Sequence, residues 1–163
     1  IIECFDISHI SGTSTVASMV QFVNGVANKK EYRKYKLKII SQIDDYSSLI
    51  EVLTRRYTRL INEKKEFPDL IIIDGGKGQL SASLSVLKHL NISIPIISIA
   101  KKQEEIFIPG RFSPLRLDKK NSALHLIQRL RDEAHRFAIS YNRLLRTKQQ
   151  LNTQNSSKKI TKK

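Results

Sequence analysis

The segment that most constrains the fold is PDLIIIDGGKGQL, residues 68–80. Pro68 and Asp69 are followed by four apolar residues, Leu70 to Ile73, three of which are β-branched. Asp74 comes directly after this run and is followed by two glycines. A short apolar run bounded by turn residues predicts a strand that is buried on both faces. Asp74 is therefore predicted at the carboxyl end of a central strand, where open α/β sheets bind their ligands.

The rest of the chain predicts a mixed sheet with helices on both faces. Strands alternate apolar and polar residues, and helices repeat apolar residues at spacings of three and four. In chain order we predict strands in residues 1–8, 15–25 and 30–40, a helix of about five turns from Asp44, the LIIID strand, a helix from about Gly78 to Leu90, a strand in 94–100, a hairpin around Pro109-Gly110, and a last helix from Asn121. Three antiparallel strands followed by crossover helices predict an α/β fold with a mixed five-stranded sheet.

Composition bounds the domain organisation. The 163 residues suffice for one domain with its own core, which we place at residues 1–148. Residues 149–163 are polar, basic and without periodicity, so they predict a disordered basic tail. The chain starts in a strand pattern without a methionine, which suggests a piece of something longer.

Cysteine content and hydropathy exclude several classes of protein. A single cysteine, Cys4, rules out an internal disulfide and most zinc frameworks, and it favours a reduced, cytoplasmic setting. No apolar run approaches 18 residues, so we expect no membrane span.

The net charge of +14 is concentrated toward the end of the chain. Residues 121–163 hold ten Lys and Arg against two acidic residues, whereas residues 1–28 hold no Lys or Arg. This asymmetry predicts a polyanionic partner, with nucleic acid the first candidate. The alternative is a soluble protein that merely carries a lysine-rich tail.

Two aspartates interrupt strands that are otherwise built for the interior. If the first strand pairs with the LIIID strand, Asp6 and Asp74 become neighbours. Two carboxylates about 4 Å apart repel by roughly 4 kcal/mol at an effective dielectric constant near 20. A divalent cation would neutralise them, and oxygen ligands favour Mg²⁺ or Mn²⁺. Each aspartate alone is equally typical of a turn or a helix cap.

Further candidates lie on helices. Either Asp44 or Asp45 serves as the N-cap of the first long helix, and the other is free to lean toward a metal; the sequence does not choose between them. His135, on the last helix, is a candidate proton acceptor or metal ligand. The other histidines show no ligand spacing, and we expect them to be structural: His9, His89 and His125.

The segment GGKGQ resembles a phosphate-binding loop only in part. The P-loop requires a different glycine spacing, and it requires a hydroxyl residue where Gln79 follows in this chain. We expect instead that the glycine N–H groups approach an anion at the start of a helix, and that Lys77 adds a positive charge.

Seven blocks of sequence carry a resemblance to a known family: IECFDISH, TVAS, YRKYK, DDYSSLIEVLTRRY, PDLIIIDGGKGQL, IAK and LHLIQRLRDEAHRFAISYNR. Over residues 1–147 the chain resembles the C-terminal endonuclease half of UvrC, the nuclease of bacterial nucleotide excision repair. The resemblance implies an RNase H-like fold and a metal-dependent phosphodiesterase. It also implies that damaged double-stranded DNA is cut 5′ to the lesion, with UvrB and UvrA as partners.

The same resemblance implies site residues. The family's catalytic residues fall on Asp6, Asp45, Asp74 and His135, and the three aspartates would bind Mg²⁺ or Mn²⁺. The resemblance thus selects Asp45 over its neighbour. We further expect four basic residues to contact the DNA backbone without reading its sequence: Lys77, Lys101, Arg131 and Arg136.

Whole members of the family also carry a GIY-YIG nuclease, a UvrB-binding segment and helix-hairpin-helix motifs, which these 163 residues do not contain.

Two other functions remain open at this point. One alternative is a non-catalytic DNA-binding or scaffold domain with the same fold. The other is a different RNase H-like nuclease, such as one that cleaves RNA–DNA hybrids.

Overall fold

A computed structural model of the chain describes residues 1–10, 14–37 and 45–140. Asp44 and the predicted tail at residues 149–163 lie outside these ranges. The elements in chain order are β1 (Ile2–Ile10), β2 (Ser14–Val23), β3 (Val26–Ala27), a short 3₁₀ helix (Lys29–Glu31), β4 (Arg33–Lys36), α1 (Asp45–Asn62), β5 (Leu70–Asp74), α2 (Lys77–His89), β6 (Ile96–Ala100) and β7 (Glu105–Phe107). A final helix, α3, covers residues 122–140.

The strands form one mixed sheet in the order β3-β2-β1-β5-β6-β7, with β4 pairing along the other half of β2. The central pairs β1–β5 and β5–β6 are parallel, while the flanking pairs are antiparallel. The predicted pairing of the first strand with the LIIID strand and the mixed sheet are therefore confirmed.

The strand count differs from the prediction. The sheet of the described residues has seven strands rather than five. Asn24 and Gly25 both have positive φ, so the chain turns tightly and returns as the two-residue β3. The 3₁₀ helix then separates β3 from β4, and the predicted hairpin adds β7 at the other edge, closed by the antiparallel bridge Ile106–Leu115.

The sheet separates two hydrophobic cores, so the prediction of helices on both faces is confirmed. Side chains alternate between the faces along each strand. Phe5 and Ile73 face α1 and α2, whereas Cys4 and Ile72 face α3. None of the helices in the described part of the chain combines the length and apolar character that crossing a membrane requires.

A buried ion pair ties α1 to the sheet. Glu3 of β1 is 1% exposed, and its carboxylate accepts hydrogen bonds from Arg56 and from Tyr57, the latter at 3.1 Å. Gln21 of β2 donates to the same carboxylate at 3.2 Å. Because the charge is paired and its lone pairs are used, the cluster fixes how α1 lies on the sheet.

Candidate active site

The register of β1 and β5 makes Asp6 and Asp74 neighbours. Phe5 pairs with Ile73 in the parallel ladder, and the next residue on each strand is an aspartate. Since Phe5 and Ile73 face α1 and α2, both aspartates face the opposite side, where α3 lies. The sequence prediction that these two aspartates become neighbours when their strands pair is thus met in the structure.

Asp6 is buried and is contacted from two directions. Its exposed fraction is 6%. Ser8, two residues further along β1, donates a hydrogen bond from Oγ to Asp6 Oδ2 at 2.9 Å. From α3, His135 Nδ1 lies 3.5 Å from the same oxygen, while half of the imidazole stays exposed. The structure therefore joins Asp6, Asp74 and His135 into one group open to solvent on one side.

A buried serine fixes the height of α3 above the aspartates. Ser18 of β2 lies directly opposite Asp6 in the antiparallel ladder. Its Oγ donates a hydrogen bond at 2.9 Å to the carbonyl of Ala134, the residue before His135. Sequence reasoning missed Ser18; the available signal was a polar residue at an interior position of an otherwise apolar strand.

Burial and charge repulsion act together on the carboxyl group of Asp74. The pKa of Asp74 rises to about 6, first because the carboxyl group is buried and second because the Asp6 carboxylate repels its charge. Arg131, His135 and Lys101 act in the opposite direction but do not cancel the rise. Burial, followed by the same two carboxylates, also raises the pKa of the Cys4 thiol beneath them.

Asp45 approaches this end of the sheet from the other face. It is the first residue of α1, and its neighbour Tyr46 packs so closely on α2 that a Cβ at Gly78 would lie 2.6 Å from Tyr46 Oη. The start of α1 is therefore next to the start of α2, four residues after Asp74. Among the residues that the structure covers, no three His, Cys, Asp or Glu side chains are grouped to hold a metal ion. The predicted role of Asp45 as third ligand stays a prediction.

The glycine loop after Asp74 is closed by its own hydrogen bonds. Gly75 donates its N–H to the Ile99 carbonyl at 3.0 Å, and Gly76 donates to Gln79 Oε1 at 3.0 Å. Gln79 thus caps α2 by folding back over the loop. These two N–H groups are used inside the fold, so the expectation that they approach an anion is wrong. Lys77, which is exposed, keeps its predicted position at the start of the helix.

The four basic residues predicted to contact DNA occupy different environments. Lys101 is exposed and close enough to Asp74 to lower the pKa of its carboxyl group. Arg136 is exposed and makes a bidentate ion pair with Glu133, with both N–O distances 2.7 Å. Neither position conflicts with a role at a DNA surface.

Arg131 differs from the other three because it is buried. Its exposed fraction is 6%, and its guanidinium binds Glu104 Oε2 at 2.8 Å and Asp132 Oδ1 at 2.9 and 3.0 Å. Glu104 has φ of +52°, in the turn that follows β6 and carries Lys101. The structure therefore gives Arg131 a different role from the predicted one: it anchors this turn to α3.

These features define a class of protein. A mixed sheet that brings together Asp6, midway along β1, and Asp74, at the end of β5, under a helix that supplies a histidine is an RNase H-like α/β domain with an acidic site. The family model described as the UvrC RNAse H endonuclease domain matches residues 1–139. The chain belongs to the UvrC RNase H endonuclease domain family.

Curated relatives agree with this assignment. The UvrABC system protein C of Methanococcus maripaludis is 61% identical over 149 residues, which cover 91% of this chain and 28% of the relative. The protein of the same name from Chlorobium phaeobacteroides is 54% identical over 94% of this chain and 24% of its own length. The chain thus spans about a quarter of the length of these relatives.

Among solved structures, the chain is similar to Ciona intestinalis Endonuclease V in complex with a 24mer DNA containing an inosine followed by a ribo-adenosine. That likeness has a TM-score of 0.44 and 17% sequence identity, and it covers 81% of this chain and 56% of the other.

Proposed function

We propose that this chain hydrolyses a DNA phosphodiester bond and makes the incision 5′ to a lesion in nucleotide excision repair. The observation that carries the proposal is that Asp6 and Asp74 lie on neighbouring central strands, with the half-exposed ring of His135 next to Asp6. A scaffold domain has no need of two repelling carboxylates at this position, since their repulsion opposes folding.

The donor set fits a hard divalent cation, and we propose Mg²⁺ or Mn²⁺. The pKa of Asp74 is raised first by burial and second by the Asp6 carboxylate, and a cation bound to both carboxylates would favour their ionised forms. Mg²⁺ commonly binds through one or two carboxylates and keeps water and phosphate oxygens as its other ligands. Two aspartates therefore suffice, and Asp45, at the start of α1, is the proposed third. When bound, the ion would lower the pKa of a water molecule and offset the negative charge on the phosphate.

The residues of the chain then have distinct roles. Asp6, held by the Ser8 hydroxyl, keeps its carboxylate turned toward the shared site. His135 orients or deprotonates the attacking water, and the Ser18 bond to Ala134 sets the height from which its ring reaches over Asp6. Lys77 and Lys101 hold the DNA backbone next to the site through charge, without reading bases.

The partners follow from the family. We propose that damaged duplex DNA is presented to this site by UvrB, after UvrA has acted in the same pathway, and that this occurs in the cytoplasm. The net charge of +14 supports a polyanionic substrate, and a single free, buried cysteine agrees with a reducing compartment.

A nicking assay tests the proposal. Lesion-containing duplex is incubated with UvrA, UvrB, Mg²⁺ and the full-length protein, as wild type, Asp74→Asn and the control Asp118→Asn. Asp118 is an exposed aspartate whose Oδ1 accepts the Lys120 N–H, a bond that an asparagine also makes. We expect loss of the 5′ nick in Asp74→Asn alone. Equal nicking by all three proteins would refute the assignment.

Two further arms separate the alternatives. Mn²⁺ binding to the wild type and to Asp74→Asn is measured by titration. Binding that is lost in Asp74→Asn favours a nuclease over a DNA-binding scaffold, because only a nuclease requires the metal site. Faster cleavage of an RNA–DNA hybrid than of lesion-containing duplex would favour a different RNase H-like nuclease.

A further inference from the structure

Phe112 is the most exposed large hydrophobic residue in the described part of the chain. Its side chain is 95% exposed, whereas the other exposed large hydrophobic residues range from 39% to 68%. Single exposed apolar residues are common on protein surfaces. The exposure therefore has meaning only together with the loop that presents the ring and the charges around it.

The loop that carries Phe112 is held at both ends. Ile106 and Leu115 exchange two backbone hydrogen bonds, of 2.9 and 2.8 Å, which close the hairpin after β7. Inside it, Gly110 turns the chain at φ of +78°, and Arg111 donates its N–H to the Ile108 carbonyl at 3.1 Å. The aromatic ring thus projects from a hydrogen-bonded turn, which lowers the entropic cost of using it in a contact.

Phe112 lies near Lys77, the first residue of α2. Lys77 Nζ is 5.7 Å from the centre of its ring, within the range of a cation–π contact. Lys77 follows Asp74 by three residues, a stretch that spans at most about 11 Å. The ring is therefore within reach of a DNA strand whose phosphate is bound at Asp74.

We propose that Phe112 stacks on an unpaired DNA base a few nucleotides from the scissile phosphate, and that Lys77 and Arg111 face the adjoining phosphates. An aromatic face next to cationic side chains matches the two parts of a nucleotide, the flat base and the anionic phosphate. A base within an intact duplex has no free face, so the contact requires DNA that is locally unstacked at the incision. This inference depends on the proposed function, since it assigns a further contact to the same site.

Substitutions of Phe112 test the contact with little effect on folding, because the ring is almost fully exposed. In the full-length protein with UvrA and UvrB, we expect Phe112→Ala to weaken nicking at subsaturating DNA roughly ten-fold, the size of one lost stacking contact. Phe112→Tyr and Phe112→Trp should restore the rate, while Phe112→Leu, which is apolar but not aromatic, should not. The melting temperature should stay the same in all four variants.

A series of substrates identifies the base. An abasic site is moved along the cut strand, one nucleotide at a time, on both sides of the incision. At one position the abasic site should slow nicking by the wild type about ten-fold and leave nicking by Phe112→Ala unchanged. The effects of the missing base and of the missing ring are then not additive.

Other outcomes overturn the proposal in distinguishable ways. Unchanged nicking by Phe112→Ala, with Asp74→Asn inactive, refutes base stacking and leaves the nuclease assignment standing. Phe112→Ala could instead lose its association with UvrB, while its effect on nicking adds to that of the abasic site at every position. That result means that the ring contacts protein and not DNA. A wild-type protein that neither binds nor nicks the DNA refutes both proposals.

Discussion

Replacing Asp74 by asparagine should make the folded chain more stable while it removes the proposed activity. The ordinary pKa of an aspartate, 3.8, rises to about 6 at Asp74 because of burial and the Asp6 carboxylate. A rise of about two in pKa corresponds to roughly 3 kcal/mol between the protonated and ionised forms. Asp74 is partly exposed, and screening by solvent reduces the expected effect to about 1–2 kcal/mol.

The effect has a definite pH dependence. Because the folded-state pKa is raised, the folded chain binds the proton more tightly than the unfolded chain does. The associated stability is present below about pH 4 and is lost as pH rises through about 6. Asparagine does not ionise, so the free energy of unfolding of Asp74→Asn should exceed that of the wild type by about 1–2 kcal/mol at pH 8. Near pH 4 the two values should differ little.

Urea denaturation of the 163-residue chain at pH 4.5 and pH 8, in the presence of EDTA, measures the difference. Asp118→Asn is the matched control, and it should stay within about 0.5 kcal/mol of the wild type at both pH values. Adding Mn²⁺ at ten times its dissociation constant should stabilise the wild type by about 1.4 kcal/mol and the Asp74→Asn variant by less. A variant that is less stable than the wild type at pH 8 would show that burial and the Asp6 carboxylate do not disfavour the ionised form of Asp74 as the structure indicates.

Three further substitutions test other parts of the structure. Arg56→Met should lower the free energy of unfolding by about 3–5 kcal/mol, because Glu3 keeps a buried charge without its partner; a loss under 1 kcal/mol in urea denaturation would contradict the buried ion pair. Gly78→Ala should cost about 1–3 kcal/mol in the same assay through its clash with Tyr46, and the cost should vanish in a Tyr46→Ala background. His135→Asn should slow nicking by about 10²- to 10⁴-fold with an unchanged melting temperature, since the ring is half exposed; a normal rate would exclude His135 from the chemistry.

Much of the fold follows from local patterns in the sequence. The apolar run in residues 70–73 specifies a buried strand, and the three-and-four spacing after Asp45 specifies α1, because both periodicities depend only on neighbouring residues. The position of Asp74 follows from the same pattern. The short β3 was missed, since two residues carry too little periodicity to predict a strand.

The site was predictable only in outline. Asp6 and Asp74 stand out because each is a charged residue in an apolar strand. His135 was a candidate from its place on the last helix, and the resemblance selected Asp45 over Asp44. Ser18 and the loop-closing role of Gln79 were missed, because each depends on a partner that the sequence does not identify.

Sequence alone therefore determined the longer helices and strands, the family and the acidic pair, whereas tertiary structure decided what each polar group contacts. Arg131 and His135 illustrate the difference. They are four residues apart on α3 and so share one face of the helix, yet Arg131 is buried against Glu104 and Asp132 while His135 reaches over Asp6. Helical spacing gives the direction of a side chain, but its depth and partners depend on how the helix docks on the sheet, which contacts between distant segments determine.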